Sequence, residues 1–203
     1  MIIKVCGMRE PQNIREVAAL AINWIGFIFY ERSKRFVERC PTEQQVTDSE
    51  QLSPKKVGVF VNATIESMME KASAYKLDYL QLHGNESPED CHTLQKRGYS
   101  LIKAFPIATK EDFEKTREYE GRVDYFLFDT RCEGYGGSGK RFDWSILTEY
   151  KGETPFLLSG GIRPENAEAI RNFRHPRFAG IDLNSGFEIE PGLKAVSYTH
   201  LRA

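Results

Sequence analysis

Leu157-Leu158-Ser159-Gly160-Gly161-Ile162-Arg163-Pro164-Glu165-Asn166 is an apolar strand signal that runs through two glycines into a helix start. Gly160 and Gly161 let backbone N–H groups approach a ligand with no Cβ in the way, and Pro164 suits the first helical position. Unsatisfied N–H donors at such a turn favour an anion, and a phosphate is the natural occupant. A plain tight turn is the alternative. Other reactive side chains close or interrupt apolar runs elsewhere: Cys6, His83, Lys103, Asp129, Asp182 and Asn184. A thiol beside a lysine or a helix N-terminus can be drawn toward the thiolate. A carboxyl at an apolar rim, as Asp129 is after residues 125–128, can be pushed toward the neutral form and act as an acid. The glycine run from Gly134 to Gly139, followed by Lys140, is long enough for a lid and lacks the Walker spacing.

These groups need a frame to bring them together. Apolar runs of strand length recur at 2–6, 24–29, 57–61, 79–82, 101–105, 125–128, 156–158 and 178–183, with helical patterns between them. Pro11 precedes the stripe Ile14, Val17, Ala18 and Leu20, and Thr64 precedes Ile65, Met68, Met69 and Ala72. Ser87-Pro88-Glu89-Asp90 reads as a helix N-cap with Pro at the first position and acids in the first turn, and Gly98 is placed to end that helix. Thr109 does similar work before Phe113, and Pro164 opens a helix over 167–170. Residues 42–54 are polar and poorly periodic, which suggests a short or irregular second helix. Eight strands alternating with helices imply parallel pairing, because each return to the sheet needs a crossover. The expectation is an α/β fold, a compact (β/α)8 TIM barrel spanning residues 1–194 as one domain. An open doubly wound sheet is disfavoured, since Cys6-Gly7-Met8-Arg9 carries no dinucleotide fingerprint.

Strands of a parallel barrel are buried on both faces, so polar residues inside them need a reason. Ile3 and Val5 share one face of the first run, and Lys4 and Cys6 the other. Leu80 and Leu82 oppose Gln81 and His83; Lys103 lies among Leu101 and Phe105; Asp182 and Asn184 oppose Ile181 and Leu183. Barrel loops build the active site at the C-terminal strand ends, so Cys6, His83, Lys103, Asp129 and Asn184 are expected to meet at one mouth. The competing reading makes each a satisfied core polar group or a loop cap.

Composition narrows the partners. The chain has 203 residues, 40% of them hydrophobic, enough for a substantial core. Its 28 basic and 29 acidic residues leave a net charge of -1, so no global field recruits nucleic acid or an anionic membrane. No apolar run approaches the roughly 18 residues of a membrane span, and the chain opens on a strand signal without a signal-peptide layout, so a cytoplasmic protein is expected. Cys6, Cys40, Cys91 and Cys132 are too widely spaced for a zinc motif or a disulfide framework, and no metal is expected.

Taken in chain order, the motifs resemble the phosphoribosylanthranilate isomerase family of tryptophan biosynthesis. The resemblance rests on Lys4-Val5-Cys6-Gly7-Met8, on Gly26-Phe27-Ile28-Phe29-Tyr30 with Ser33-Lys34-Arg35, on Val57-Gly58-Val59-Phe60-Val61-Asn62 and on Gln81-Leu82-His83-Gly84. It continues through Phe128-Asp129-Thr130 and the glycine run, then Leu158-Ser159-Gly160-Gly161-Ile162, and Gly180-Ile181-Asp182-Leu183-Asn184-Ser185-Gly186-Phe187-Glu188 before Pro191-Gly192. The resemblance implies a cofactor-free Amadori rearrangement of a phosphorylated small molecule, with Cys6 as general base and Asp129 as general acid. It places Arg35 at the anthranilate end of the substrate and the phosphate on backbone N–H groups of Gly160, Gly161, Ser185 and Gly186. His83, Lys103, Asp182 and Asn184 complete the expected substrate-binding set. Related readings are a sugar-phosphate barrel of histidine biosynthesis, indoleglycerol-phosphate synthase, or a phosphate-binding barrel without catalysis. The histidine enzyme is expected to use paired aspartates and two similar half-barrels, and Cys6 in the first slot with no half-to-half repeat disfavours it. Sequence patterns leave monomer and homodimer equally open. Residues 195–203 depart from the family's final amphipathic helix and read like linker or adapter sequence. That tail is expected to leave the outer faces of the first and eighth strands poorly covered.

Overall fold

All eight apolar runs are strands, and they close on one another. The computed structural model describes residues 1–39, 54–130 and 144–196. β1 (Ile2–Val5), β2 (Trp24–Ile28), β3 (Lys55–Phe60), β4 (Tyr79–Leu82), β5 (Ser100–Ile107), β6 (Tyr125–Thr130), β7 (Phe156–Ser159) and β8 (Phe178–Leu183) form a closed parallel barrel in sequence order. Pairing of β1 with β8, Lys4 opposite Asp182, shuts the ring. Gly180 permits this closure, because a Cβ there would stand 2.1 Å from the Ile2 carbonyl oxygen.

Alternation along each strand sorts side chains inward and outward. Trp24, Val57, Ile102, Ala104, Leu127 and Leu157 fill the interior as one buried cluster. Trp24 packs against Tyr79 and Tyr125, with ring centroids 4.7 and 5.1 Å away. These rings start their strands, so they plug the N-terminal end and leave the other end to the polar groups. The opposite face of the strands packs in a second, larger cluster, exemplified by Phe27, Leu80, Phe126, Phe128 and Phe156. Each such large side chain contributes roughly 1.5–3 kcal/mol by leaving water.

Helices cover the outer face. α1 (Pro11–Ala18) turns Ile14 and Val17 inward, and α2 (Ile65–Ala74) starts where Thr64 accepts a hydrogen bond from the Ser67 N–H. α3 (Pro88–Lys96) begins at the reciprocal Ser87–Asp90 cap expected from its sequence, and Gly98 follows it with φ +87°. Two expectations need correction. Lys110–Tyr119, after Thr109, winds as 3₁₀ turns instead of an α-helix. The helix after Pro164 is a 3₁₀ turn, Pro164–Asn166, followed by a six-residue α4 (Ala167–Asn172). A short antiparallel pair, β9 (Glu188–Glu190) and β10 (Leu193–Lys194), follows the barrel.

The expected poor cover of β1 and β8 is only partly met. Val5, Ile181 and Leu183 are buried in the same cluster as Ile14, Val17 and Phe187, whereas Ile3, Phe178 and Ala179 are half-buried. Residues 197–203 of the tail, most of the polar segment 42–54, the glycine run from Gly134 to Lys140, and Cys40 and Cys132 lie outside the described residues. Cys6 and Cys91 are free thiols. No helix among the described residues is long and apolar enough to cross a membrane.

Candidate active site

Inward parity carries polar groups up from the apolar plug toward the mouth. Lys4 and Asp182 are opposed on neighbouring strands, and Lys4 Nζ donates to Asp182 Oδ1 at 2.9 Å with both side chains at most 5% exposed. Asp182, expected to bind substrate, therefore lies beneath the mouth with one oxygen engaged by a lysine. Cys6 sits one step above Lys4, just past the end of β1. Gly26 on β2 makes room for it, since a Cβ there would be 2.8 Å from the Cys6 Sγ.

Burial decides the resting state of Cys6. Desolvation pushes its thiol pKa up, while the nearby Lys4 and Lys194 charges oppose this and Asp182 adds to it; the net direction is upward. The thiol is thus the ground form in the ligand-free protein, and the expected lowering of its pKa by neighbours does not prevail.

On the other side of the mouth, His83 Nε2 lies 3.7 Å from Asp129 Oδ2. β4 and β6 are not neighbours in the barrel, so this approach spans the opening across β5. Gln81, buried just below, holds His83 through Nε2 and Nδ1 at 2.9 Å. Both His83 and Asp129 remain partly exposed, as groups that meet a ligand must be.

Lys103 does not join them. It shares the outer face of β5 with Leu101 and Phe105, is 2% exposed, and is spent on the Leu82 and Gly84 carbonyls at 3.2 and 2.7 Å and on Glu86 Oε2 at 3.1 Å. Glu86 in turn accepts from the Asn62 N–H at 2.8 Å and from the Gly84 N–H at 2.9 Å. The buried pair therefore braces the loops that follow β3 and β4. Sequence reasoning missed Glu86, whose only signal was an acid in a loop between a strand and an N-cap.

Arg35 lies against Gly7, in the loop after β2. Its Nε and Nη2 face Glu188, with Nε at 2.8 Å from Oε1 and Nη2 at 2.5 Å from Oε2. The Nη1 end of the guanidinium stays outside that pairing, so Glu188 fixes the plane and leaves donors for a second carboxylate. Glu188 also accepts from Lys194 Nζ at 2.6 Å, and Lys194 Nζ donates to Asn184 Oδ1 at 2.8 Å. Asn13 on α1 anchors Lys194 by donating to its carbonyl at 2.9 Å and accepting from its N–H at 2.7 Å. Lys194 stood in the motif region without a role, because nothing local distinguishes it from a surface lysine.

The loops after β7 and β8 touch. A Cβ on Gly186 would lie 2.1 Å from the Ile162 carbonyl oxygen, and Gly160 and Gly161 hold φ of +89° and +62°. Gly160, Gly161, Ser185 and Gly186 are partly or fully exposed around this junction. The flanking 3₁₀ turns are too short for a large macrodipole, so any anion here relies on individual loop N–H groups. Gly186→Ala should drive the two loops apart, and a loss of phosphate binding by at least tenfold with little change in unfolding midpoint is expected; unchanged inhibition by inorganic phosphate would exclude this junction as the cradle. A separate groove of about 450 Å³ between Lys110–Tyr119 and Trp144–Glu149 lies away from these groups on the outer layer.

Comparison with known proteins shows the family. The family profile for N-(5'-phosphoribosyl)anthranilate (PRA) isomerase matches residues 3–199. The chain is 97% identical over 196 residues to a curated N-(5'-phosphoribosyl)anthranilate isomerase of Parabacteroides distasonis, covering 97% of this chain and 89% of that one. Its backbone is similar to the crystal structure of phosphoribosyl anthranilate isomerase from Thermotoga maritima, with TM-score 0.82, 33% identity and 99% and 96% of the two chains covered. A phosphoribosyl anthranilate isomerase crystallised with reduced 1-(o-carboxyphenylamino)-1-deoxyribulose 5-phosphate gives TM-score 0.82 at 29% identity, again over 99% and 96% of the two chains. Shared barrel architecture alone gives no such agreement in sequence along nearly the whole length, and the chain belongs to the N-(5'-phosphoribosyl)anthranilate isomerase family of tryptophan biosynthesis.

Proposed function

We propose that this chain isomerises N-(5'-phosphoribosyl)anthranilate to 1-(2-carboxyphenylamino)-1-deoxyribulose 5-phosphate, with Cys6 as general base and Asp129 as general acid. The observation that carries the reading is the placement of a thiol and a carboxyl at inward positions of one barrel mouth, in a chain 97% identical to a protein of that name.

Asp129 gives a proton to the furanose ring oxygen. The C1′–O bond breaks as the anilino nitrogen lone pair forms a C1′=N⁺ imine, and the ring oxygen leaves as the C4′ hydroxyl. That cation acidifies the C2′ hydrogen, which the Cys6 thiolate removes. The C–H electrons form the C1′=C2′ bond and neutralise nitrogen, and the enolamine tautomerises to the ketone. Acid and base must start in opposite protonation states. Only the fraction with Asp129 protonated and Cys6 ionised turns over, so raising pH gains thiolate but loses the acid, and the pH–rate profile should carry a limb where Cys6, its pKa raised by burial, ionises.

Arg35, its plane fixed by Glu188, suits the anthranilate carboxylate, and the glycine junction of the last two loops suits the phosphate. His83 and Asn184 line the same opening, and Asp182 lies below it. The solved relative with a bound carboxyphenylamino-ribulose phosphate supports recognition of both anionic ends. We take residues 1–194 as one catalytic domain with 195–203 outside it, acting in the cytoplasm.

A coupled assay with the parent protein tests the reading directly. Inorganic phosphate should compete with substrate, and the dephosphorylated substrate should bind at least tenfold more weakly. Equal affinity for the two substrates would remove the phosphate cradle, and absence of turnover would leave a binding protein only.

A further inference from the structure

We propose that Lys4, held by Asp182 from below, is a positioning residue that keeps the negative charge of Cys6 in place when Cys6 acts, with Lys194 reinforcing it from the side of the β9–β10 pair. The inference rests on the assignment of Cys6 as the base.

Lys4 and Cys6 are two residues apart on one face of the first strand, Cys6 just past its end, so the buried ammonium lies beneath the thiol and its charge acts on it. Lys4 is fully buried, and its hydrogen-bond partner, Asp182, is directly opposite on β8. Burial works against the Lys4 charge, but Asp182 and Cys6 outweigh it and favour the ammonium. Lys194 approaches from a different element. It is 1% exposed, and its ammonium is tied to Asn184 and Glu188, both at the rim beside Cys6. Burial pulls the Lys194 pKa down and Glu188 offsets only part of this, so the net direction is downward. The charged groups facing Cys6 are therefore Lys4, Lys194 and Arg35 as cations and Asp182 and Glu188 as anions. One cation is left over, and two of the cations stand closest in effect to the sulfur.

A buried thiolate without that surplus would be expelled toward the neutral thiol by desolvation. With it, Cys6 is protonated at rest and still yields a usable thiolate fraction at a buried position. The same surplus cation attracts the carboxylate end of the substrate, so base and ligand draw on one field.

The Cβ resonance of ¹³C-labelled cysteine, assigned by its loss in Cys6→Ser, follows Cys6 ionisation through a pH titration free of tyrosine signals. Lys4→Met should move the Cys6 midpoint upward by about 1–3 pH units, the range expected for loss of an adjacent opposite charge. Turnover should fall about tenfold or more while KM changes little, and the limb of the pH–rate profile set by Cys6 should move upward with the midpoint. Lys4→Arg should restore most of both. Lys4→Met orphans Asp182, so Lys4→Met/Asp182→Asn provides a second variant without a buried unpaired charge; its midpoint should still rise, because the Lys4 charge is the stronger of the two influences on the sulfur. Lys194→Met leaves Glu188 paired with Arg35 and should give a smaller upward shift.

An unchanged Cys6 midpoint in Lys194→Met and in whichever Lys4 variant folds overturns the inference. If Cys6→Ser retains parent turnover while the lysine variants still shift the titration, the electrostatic role stands and the assignment of Cys6 as base fails. If Cys6→Ser abolishes turnover and the lysine variants leave both titration and pH–rate profile in place, the base stands and the role of Lys4 fails.

Discussion

Cys6→Ala and Asp129→Asn should each lower turnover by about 10²- to 10⁴-fold, the usual contribution of a general acid or base. In barrier height that is about 2.7–5.5 kcal/mol. Phosphate affinity should hardly change, because the phosphate is expected to be held by backbone N–H groups, which neither substitution removes. Asp129→Asn keeps the shape of the side chain and its place 3.7 Å from His83 but removes the proton that opens the ring. Cys6→Ala removes a sulfur that is packed against Gly26, and leaves a small void with only modest loss of stability. Steady-state kinetics with inorganic phosphate as a competitive probe separates the steps. Near-parent turnover in either variant would show that its role belongs to another group, with His83 the first candidate on the acid side. The parent profile should bend in the range in which Cys6 ionises, and that bend should vanish in Cys6→Ala.

Lys103→Met is the second large effect, and it falls on stability. It leaves Glu86, 5% exposed, without its cation, and breaking one side of a buried pair costs about 3–5 kcal/mol. A domain with roughly 5–15 kcal/mol in hand would be close to unfolding. Urea midpoints should drop sharply, while the phosphate inhibition constant of the surviving folded fraction stays near that of the parent. Lys103→Met/Glu86→Gln should recover part of the loss, since the orphan charge is gone and the amide oxygen can still accept from Asn62 and Gly84. A stable Lys103→Met protein with weakened phosphate or substrate binding would return Lys103 to the mouth, where its sequence position first suggested it.

Much of the frame is legible without coordinates. Each strand carries its own signal, a short apolar run between breakers, and the helical stripes and the Ser87 and Thr64 caps are equally local. Their alternation implies a parallel sheet, and inward parity predicts that Lys4 and Cys6, or Gln81 and His83, share a face. The glycines after β7 were readable as a close-approach turn because only a residue without Cβ tolerates φ of +89° and +62° so easily.

Other features depend on groups that meet only after closure. Polarity could not tell which face of β5 points inward, because barrel strands are buried on both sides, and so Lys103 looked like Cys6 until its partners were visible. Lys4 and Asp182 are 178 positions apart, and Arg35 and Glu188 are 153 apart. No periodicity links such pairs. The protonation of Cys6 is also a tertiary property: its sequence neighbours suggested a lowered pKa, whereas closure removes water from around the sulfur and desolvation outweighs the lysines. Local pattern thus determined the eight strands, their order and the residues offered to the mouth. Ring closure decided which of them face it, what each is paired with and how each is charged, because burial and partner distance exist only in the folded chain.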